Sequence, residues 1–330
     1  MPFSALPSGM FRNLLRRVVV VVVLCGIAAP ALADETDNFT CRLRQLADSA
    51  GALDDIMNAR ILATVARANR TPCDADCLVR LLQSEIGGSY RDRLTLVAHA
   101  RFERWVDGRS DIARCRTSFR DSIYGARPYN QPWLFPFTGR VILLADSIRL
   151  SGRVVGIDKL NHFIREGLAH WKDVHRKGRS LDAVMTKELG TPGRQLRWNE
   201  YGLKGWSLTG VLAYADLAAS YAGFRFWSDL SDIGSGAGYV ARDAGTGRFV
   251  VRRQFAFSSY VTDAWDEGIN CSAFQPGLAA EVAAALAKRS MSCPVGHAAS
   301  LSALPDARLY VNPVLRGNVA TPHAVRAGLK

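Results

Sequence analysis

Long apolar runs are nearly absent from this chain of 330 residues. Beyond the stretch Val18 to Ala29, no segment approaches 18 uninterrupted apolar residues, which excludes a membrane-spanning helix from the rest of the chain. Also missing are the Gly-x-Ser-x-Gly nucleophile turn, a phosphate-binding Walker loop, a dinucleotide fingerprint, and the helical zinc signature with two His at i, i+4 and a Glu between them. The Gly234–Gly238 stretch is glycine-rich but follows no clear strand and reads as a turn. Nucleic-acid binding motifs are lacking, and the basic residues are scattered, so nucleic acid is not an expected partner. There is no internal repeat, low-complexity tract or linker, and this argues for one domain. Histidine is scarce, with six in the chain, yet three of them lie between 162 and 175.

The N-terminus has the form of a signal peptide. Arg12, Arg16 and Arg17 precede the apolar Val18–Ala29 stretch, and Ala31-Leu32-Ala33 is a small-x-small cleavage site. The apolar stretch, about 12 residues, is too short to serve as an anchor. Cleavage after Ala33 gives an exported, periplasmic or secreted protein with no transmembrane segment. It removes three Arg and no acid, so the formal net charge falls from +12 to +9. A basic exported protein suits anionic neighbours, such as an envelope surface or an acidic glycan. Six cysteines remain: Cys41, Cys73, Cys77, Cys115, Cys271 and Cys293. An even number after export predicts three disulfides, with 15 connectivities open. Proximity favours Cys271 with Cys293 and leaves the other four to pair among themselves. Thiols in an oxidising compartment are bridged, which argues against zinc at Cys73 and Cys77.

The pattern predicts a mainly α (α+β) fold: a single compact helical domain over 34–330, disulfide-stapled, with a small β-hairpin component. A helical half spans 34–110, with helices over 37–50, 54–69, 73–86 and 94–106. Residues 123–138 form a Pro- and aromatic-rich loop. The core spans 140–290. Within it, Val141 to Val155 reads as strands broken at Ser151-Gly152, Ser207 to Tyr221 as an apolar buried helix, Tyr239 to Arg252 as a hairpin, and Leu278 to Lys288 as an Ala-rich helix. Residues 305–330 lack periodicity and read as an irregular surface tail.

Three constellations can carry chemistry. Asp158, His162, Glu166 and His170 recur every four residues; on a helix each step turns about 40° further, so all four share a sector of roughly 120°. Such a row can ligate a divalent metal, transfer protons, or form a structural hydrogen-bond network, and Asp158 can also cap the helix. Gly167 weakens the helix by roughly 1 kcal/mol. Second, Asp216 lies in an otherwise apolar segment, and a buried carboxylate needs a partner. The expected partner is His162 or Glu166, with Lys204 and Arg225 as alternatives. Third, Asp266 and Glu267 precede Cys271; adjacent residues cannot share a face, so only one of them can serve a given site, and a surface turn accounts for them.

The string Asp158-Lys159-Leu-Asn-His162-Phe163 resembles an Asp-Lys-x-x-His-Phe element of bacterial envelope proteins, among them the VanZ-like membrane family. The likeness covers six residues, and the chain lacks the transmembrane helices of that family. The whole chain is similar to uncharacterised secreted bacterial proteins, which implies a location and no activity. Two readings of function follow. One is a non-catalytic envelope protein with a binding or structural role, built on a buried His/Glu/Asp network. The other is a periplasmic hydrolase-like enzyme using His162, Glu166 and Asp216, with a divalent metal as cofactor. Convergence of the three residues at the floor of a cleft favours the enzyme; a closed, mutually bonded network favours the first.

Overall fold

The computed structural model describes residues 34–88, 105–106, 109–125, 143–192, 197, 199–202, 204–207, 209–234, 237–296 and 298–316. The readings on the signal peptide, on residues 94–104, on 126–138 and on the tail beyond 316 lie outside them. The described chain is mostly helical, with sheets of two or three strands. None of its helices is long and apolar enough to cross a membrane.

Strand β1 (Asp34–Thr36) opens the described chain. The helix expected over 37–50 is not formed. Asp37 instead accepts backbone N–H bonds from Phe39 and Thr40, at 3.0 and 2.9 Å, and from Ile123 at 3.0 Å. Such local side-chain bonds offer the backbone an alternative to helix. Helix α1 (Ala50–Ala68) buries Leu53, Met57, Ile61 and Val65 along one stripe. Asp74 caps α2 (Ala75–Gly87) through the Cys77 N–H, and Gly88, at φ 81°, ends it.

The predicted strand region resolves into β3 (Leu143–Ala145), β4 (Ser147–Leu150) and β5 (Arg153–Gly156). β3 pairs parallel with β1, while β4 sits between β2 (Arg114–Cys115) and β5 in an antiparallel sheet. Ser151 and Gly152 make the turn at positive φ, and Asp48 accepts both of their N–H groups. The chain then enters α3: an α-helical turn Asp158–Asn161, a π-helical segment His162–Glu166 and an α-helical segment Gly167–His175. Helix α4 (Leu181–Leu189) follows, capped by Ser180.

The helix expected over Ser207 to Tyr221 starts later. Gly210 takes φ 81° and Val211–Leu212 form β6, paired with β9 (Ala273–Phe274), so α5 spans Tyr214–Ser231. Asp216 therefore stands in the first turn of α5, where an acid is favoured by the helix dipole. The predicted hairpin is present as β7 (Val240–Arg242) and β8 (Phe249–Val251), and the Ala-rich helix as α6 (Pro276–Ala287). Residues 305–316 are not a loose surface tail: Tyr310 and Val311 are buried, and Asn312 and Asn270 clamp the segment to Cys271.

Helix α3 lies along α5, at the centre of a core that draws apolar side chains from Leu53 to Val311. Phe163 is ringed by Phe226, Phe257, Tyr260 and Trp265 at centroid distances of 5.1–5.6 Å. Gly167 is explained here: a Cβ on it would stand 2.4 Å from the Gly223 carbonyl carbon of α5. The two helix backbones meet at that point. Three disulfides, Cys41–Cys115, Cys73–Cys77 and Cys271–Cys293, account for all six cysteines among the described residues, and Cys271 pairs as proximity suggested.

Candidate functional site

The π turn orients the predicted row. The Gly167 N–H reaches back five residues to the His162 carbonyl, and the wider turn takes up part of the drift that a pure α-helix would give the four-residue spacing. Trp227 of α5 donates to the Ile164 carbonyl within that turn, at 2.8 Å.

The inner part of the site is centred on Lys159, which is fully buried. Its Nζ lies 2.6 Å from Asp158, 2.6 Å from Asp216 and 2.5 Å from Glu267. It donates a hydrogen bond to Asp158 and stands within ion-pair distance of the other two carboxylates. The other Asp158 oxygen accepts from Thr36 of β1 at 2.9 Å. Behind them Glu35, also on β1, accepts from Thr209 at 2.5 Å. Burial depresses the Lys159 ammonium, but the three carboxylates hold it well above its usual range. Burial raises Asp216 too, yet His162 and Lys159 keep it below the usual carboxylate range.

His162 joins the inner part to the outer. Its Nε2 is 3.4 Å from Asp216, and its Nδ1 is 3.3 Å from Ser220, one turn further along α5. The outer part is centred on Lys204, whose Nζ pairs with Glu166 at 3.1 Å and with Glu188 of α4 at closer range. His170 lies 3.8 Å from Glu188. Burial raises Glu188 and Glu166, but Lys204 outweighs it and both are held low. Glu200, buried in the segment between α4 and β6, has no hydrogen-bond partner for either carboxyl oxygen. Ligand atoms of His162, Glu188 and Glu200 lie within 4.8 Å of one another, as do those of Asp158, Asp216 and Glu267.

Seven carboxylates thus gather around two ammonium groups. Full ionisation would leave a large net negative charge in a poorly solvated volume, which is costly. Protons take up part of the excess. Burial, reinforced by neighbouring acids, pushes Glu35 and Glu200 well above the carboxylate range, and burial pushes Glu267 up to about 8.

The outer part opens on a cleft of about 1030 Å³ between α3, α4 and the segment that follows α4. Glu166, His170, Glu188, Asn199 and Lys204 form its floor. Lys159 and its three carboxylates do not line that cleft; Lys159, Asp216 and Glu267 are buried, and Asp158 is partly so.

Of the residues expected from sequence, the structure brings His162 and Asp216 into contact and links Glu166 to Glu188 through Lys204. Asp158 and His162 fall into different groups, so the row Asp158, His162, Glu166 and His170 is divided between the inner and outer parts. Asp266 and Glu267 are fully buried rather than on a surface turn. They do diverge as adjacent residues must, Asp266 to Arg42 and Glu267 to Lys159. Sequence reasoning missed Lys159, Glu188 and Glu200; Lys204, expected as an alternative partner for Asp216, pairs with Glu166 and Glu188. A signal existed for Glu188: it falls on the same helical face as Val184 and Met185, which α4 buries. Glu200, in an irregular segment, offered none. No family model, curated protein or solved structure matches the chain.

Proposed function

We propose that this is an exported, single-domain protein that binds a polar, anion-bearing component of the cell envelope in the cleft between α3 and α4, without catalysis. The observation that carries the reading is the floor itself. Lys204 is held in place by Glu166 and Glu188 beneath an open volume of about 1030 Å³. A charged group already fixed by its partners gives a ligand a preorganised contact at little ordering cost. The lining has a cationic excess, with Lys172, Arg176, Lys177, Lys187, Arg197 and Lys204 against four acids, and the mature chain carries a net +9. Three disulfides fit an oxidising compartment.

The test is calorimetric titration of the mature protein with acidic oligosaccharides and with inorganic phosphate at low and moderate salt. Binding is expected with at least one of them, weakening as salt rises. Reversing the exposed Lys187 and Arg197 (Lys187→Glu with Arg197→Glu) is expected to weaken it about tenfold or more, since rim charges act on encounter and like charges repel. No heat with either probe, or equal affinity in the double variant, would overturn the reading. A hydrolase-like activity has one observation in its favour, the clasp of His162 between Asp216 and Ser220. A bound probe recovered chemically altered from the wild type, but intact from His162→Gln, would put that activity in its place.

A further inference from the structure

The site contains two groups of acids, and they differ in one respect. In the inner group a cation is built into the chain: Lys159 Nζ stands 2.5–2.6 Å from all three carboxylates. In the outer group Lys204 satisfies Glu188 and Glu166, but among the described residues no Lys or Arg nitrogen pairs with Glu200. Glu200 is 1% exposed, and both of its oxygens lack a hydrogen-bond partner. A buried carboxyl with no partner is rare and costly. Its ligand atom lies within 4.8 Å of a ring nitrogen of His162 and a carboxyl oxygen of Glu188.

We propose that His162, Glu188 and Glu200 form a binding site for one divalent transition-metal ion of the Zn²⁺ or Mn²⁺ class. The donor set argues for the class. One imidazole with two carboxylates is softer than the all-oxygen shells of Ca²⁺ and Mg²⁺, and it lacks the thiolates that select Cu(I) or an iron–sulfur cluster. The spacing is close to what is needed: ligands at about 2.0–2.2 Å from a shared ion lie at most about 4.4 Å apart, so small side-chain rotations close the shell. The ligands come from three separate elements (α3, the end of α4 and the segment after it), so the ion would tie these together. His162 is oriented for the task. Asp216 stands 3.4 Å from its Nε2 and Ser220 3.3 Å from its Nδ1, so the ion would replace one of these long contacts while the other holds the ring, as second partners do for many metal-bound histidines. Glu188 also lines the cleft, so a remaining coordination position can face it. Lys204 keeps Glu166 as a counter-ion, 3.1 Å away. This site does not depend on the ligand-binding reading above.

The experiment uses tag-free mature protein, stripped with a chelator and dialysed against Zn²⁺ or Mn²⁺, with bound metal measured by elemental analysis and affinity by competition with a chromophoric chelator. About one ion per chain is expected for at least one of the two metals, with a rise in melting temperature on loading. Glu200→Gln keeps the shape of the side chain and removes a ligand charge. It is expected to lower affinity at least tenfold while its apo form melts at or above the apo wild type, because an unpartnered acid has been removed. Asp173→Asn, on the cleft wall but outside the three, is expected to bind as the wild type does. Well under one ion per chain for both metals would overturn the proposal, as would undiminished affinity in Glu200→Gln.

Discussion

Burial pushes the Glu267 carboxyl up to about 8 even with the Lys159 ammonium 2.5 Å away, because Asp216 and Asp158 already share that nitrogen. The consequence for stability has a definite sign. Between the ordinary glutamate value, about 4.3, and its own folded value, Glu267 holds its proton in the folded chain and has lost it in the unfolded chain. The folded state binds more protons in that window, so stability falls as pH rises from about 4.5 to about 8. Glu35 and Glu200 act in the same direction; Asp216, Glu166 and Glu188, held low, act oppositely, and their contribution is lost as pH falls below the ordinary carboxylate range. In Glu267→Gln the decline between pH 5 and 8 should be shallower by close to one proton. Urea denaturation at four pH values measures it, and an unchanged slope would refute the assignment. At this scale the sequence was partly legible. Asp216 announced its need for a partner by standing among apolar residues, and His162 was among the partners expected. Lys159 did not, because a lysine beside an aspartate reads as solvated until the fold brings Asp216 and Glu267, 57 and 108 positions away, to the same nitrogen.

Elements read well where one periodicity dominated and badly where side chains competed with it. Helices α2 and α6 and the β7–β8 hairpin lie close to where their patterns put them, since caps, Pro and turn residues mark their ends. The lost helix over 37–50 went to the side-chain acceptors of Asp37, and the late start of α5 to the β6–β9 pairing, a contact made about 60 residues away. Gly167 looked like a flaw in α3 because the sequence shows its propensity and hides its neighbour. Gly167→Ala gains up to about 1 kcal/mol of helix propensity. It also drives a methyl group to 2.4 Å from the Gly223 backbone, which side-chain rotation cannot relieve. Overpacking costs about 1–3 kcal/mol, so the variant is expected to be net destabilised. Because α3 also carries Lys159, His162 and Glu166, its displacement should reduce metal uptake as well. A melting temperature at or above that of the wild type would mean that the two helices can part at no cost, against the close approach described here.

The whole molecule explains why the charged seam could not be read along the chain. Its members come from β1, α3, α4, the segment before β6, α5 and the loop before β9, and only the fold supplies their proximity. The first of these is the most remote: β1 brings Glu35 and Thr36 into the seam, and just beyond it Cys41 is bridged to Cys115 across a separation of 74 residues. The Cys73–Cys77 bridge closes a separation of only four. Loop-closure entropy grows with the logarithm of length, so the long bridge should stabilise by roughly 2–3 kcal/mol more than the short one. Cys41→Ser with Cys115→Ser is therefore expected to lower the midpoint of chemical denaturation well below that of Cys73→Ser with Cys77→Ser. The long-bridge variant should also lose stability toward neutral pH less steeply than the wild type, because a loosened β1 lets water reach Glu35, whose burial drives part of that decline. Equal midpoints for the two double variants would show that β1 is held by its pairing with β3 alone, and that the bridge merely decorates a strand already in place.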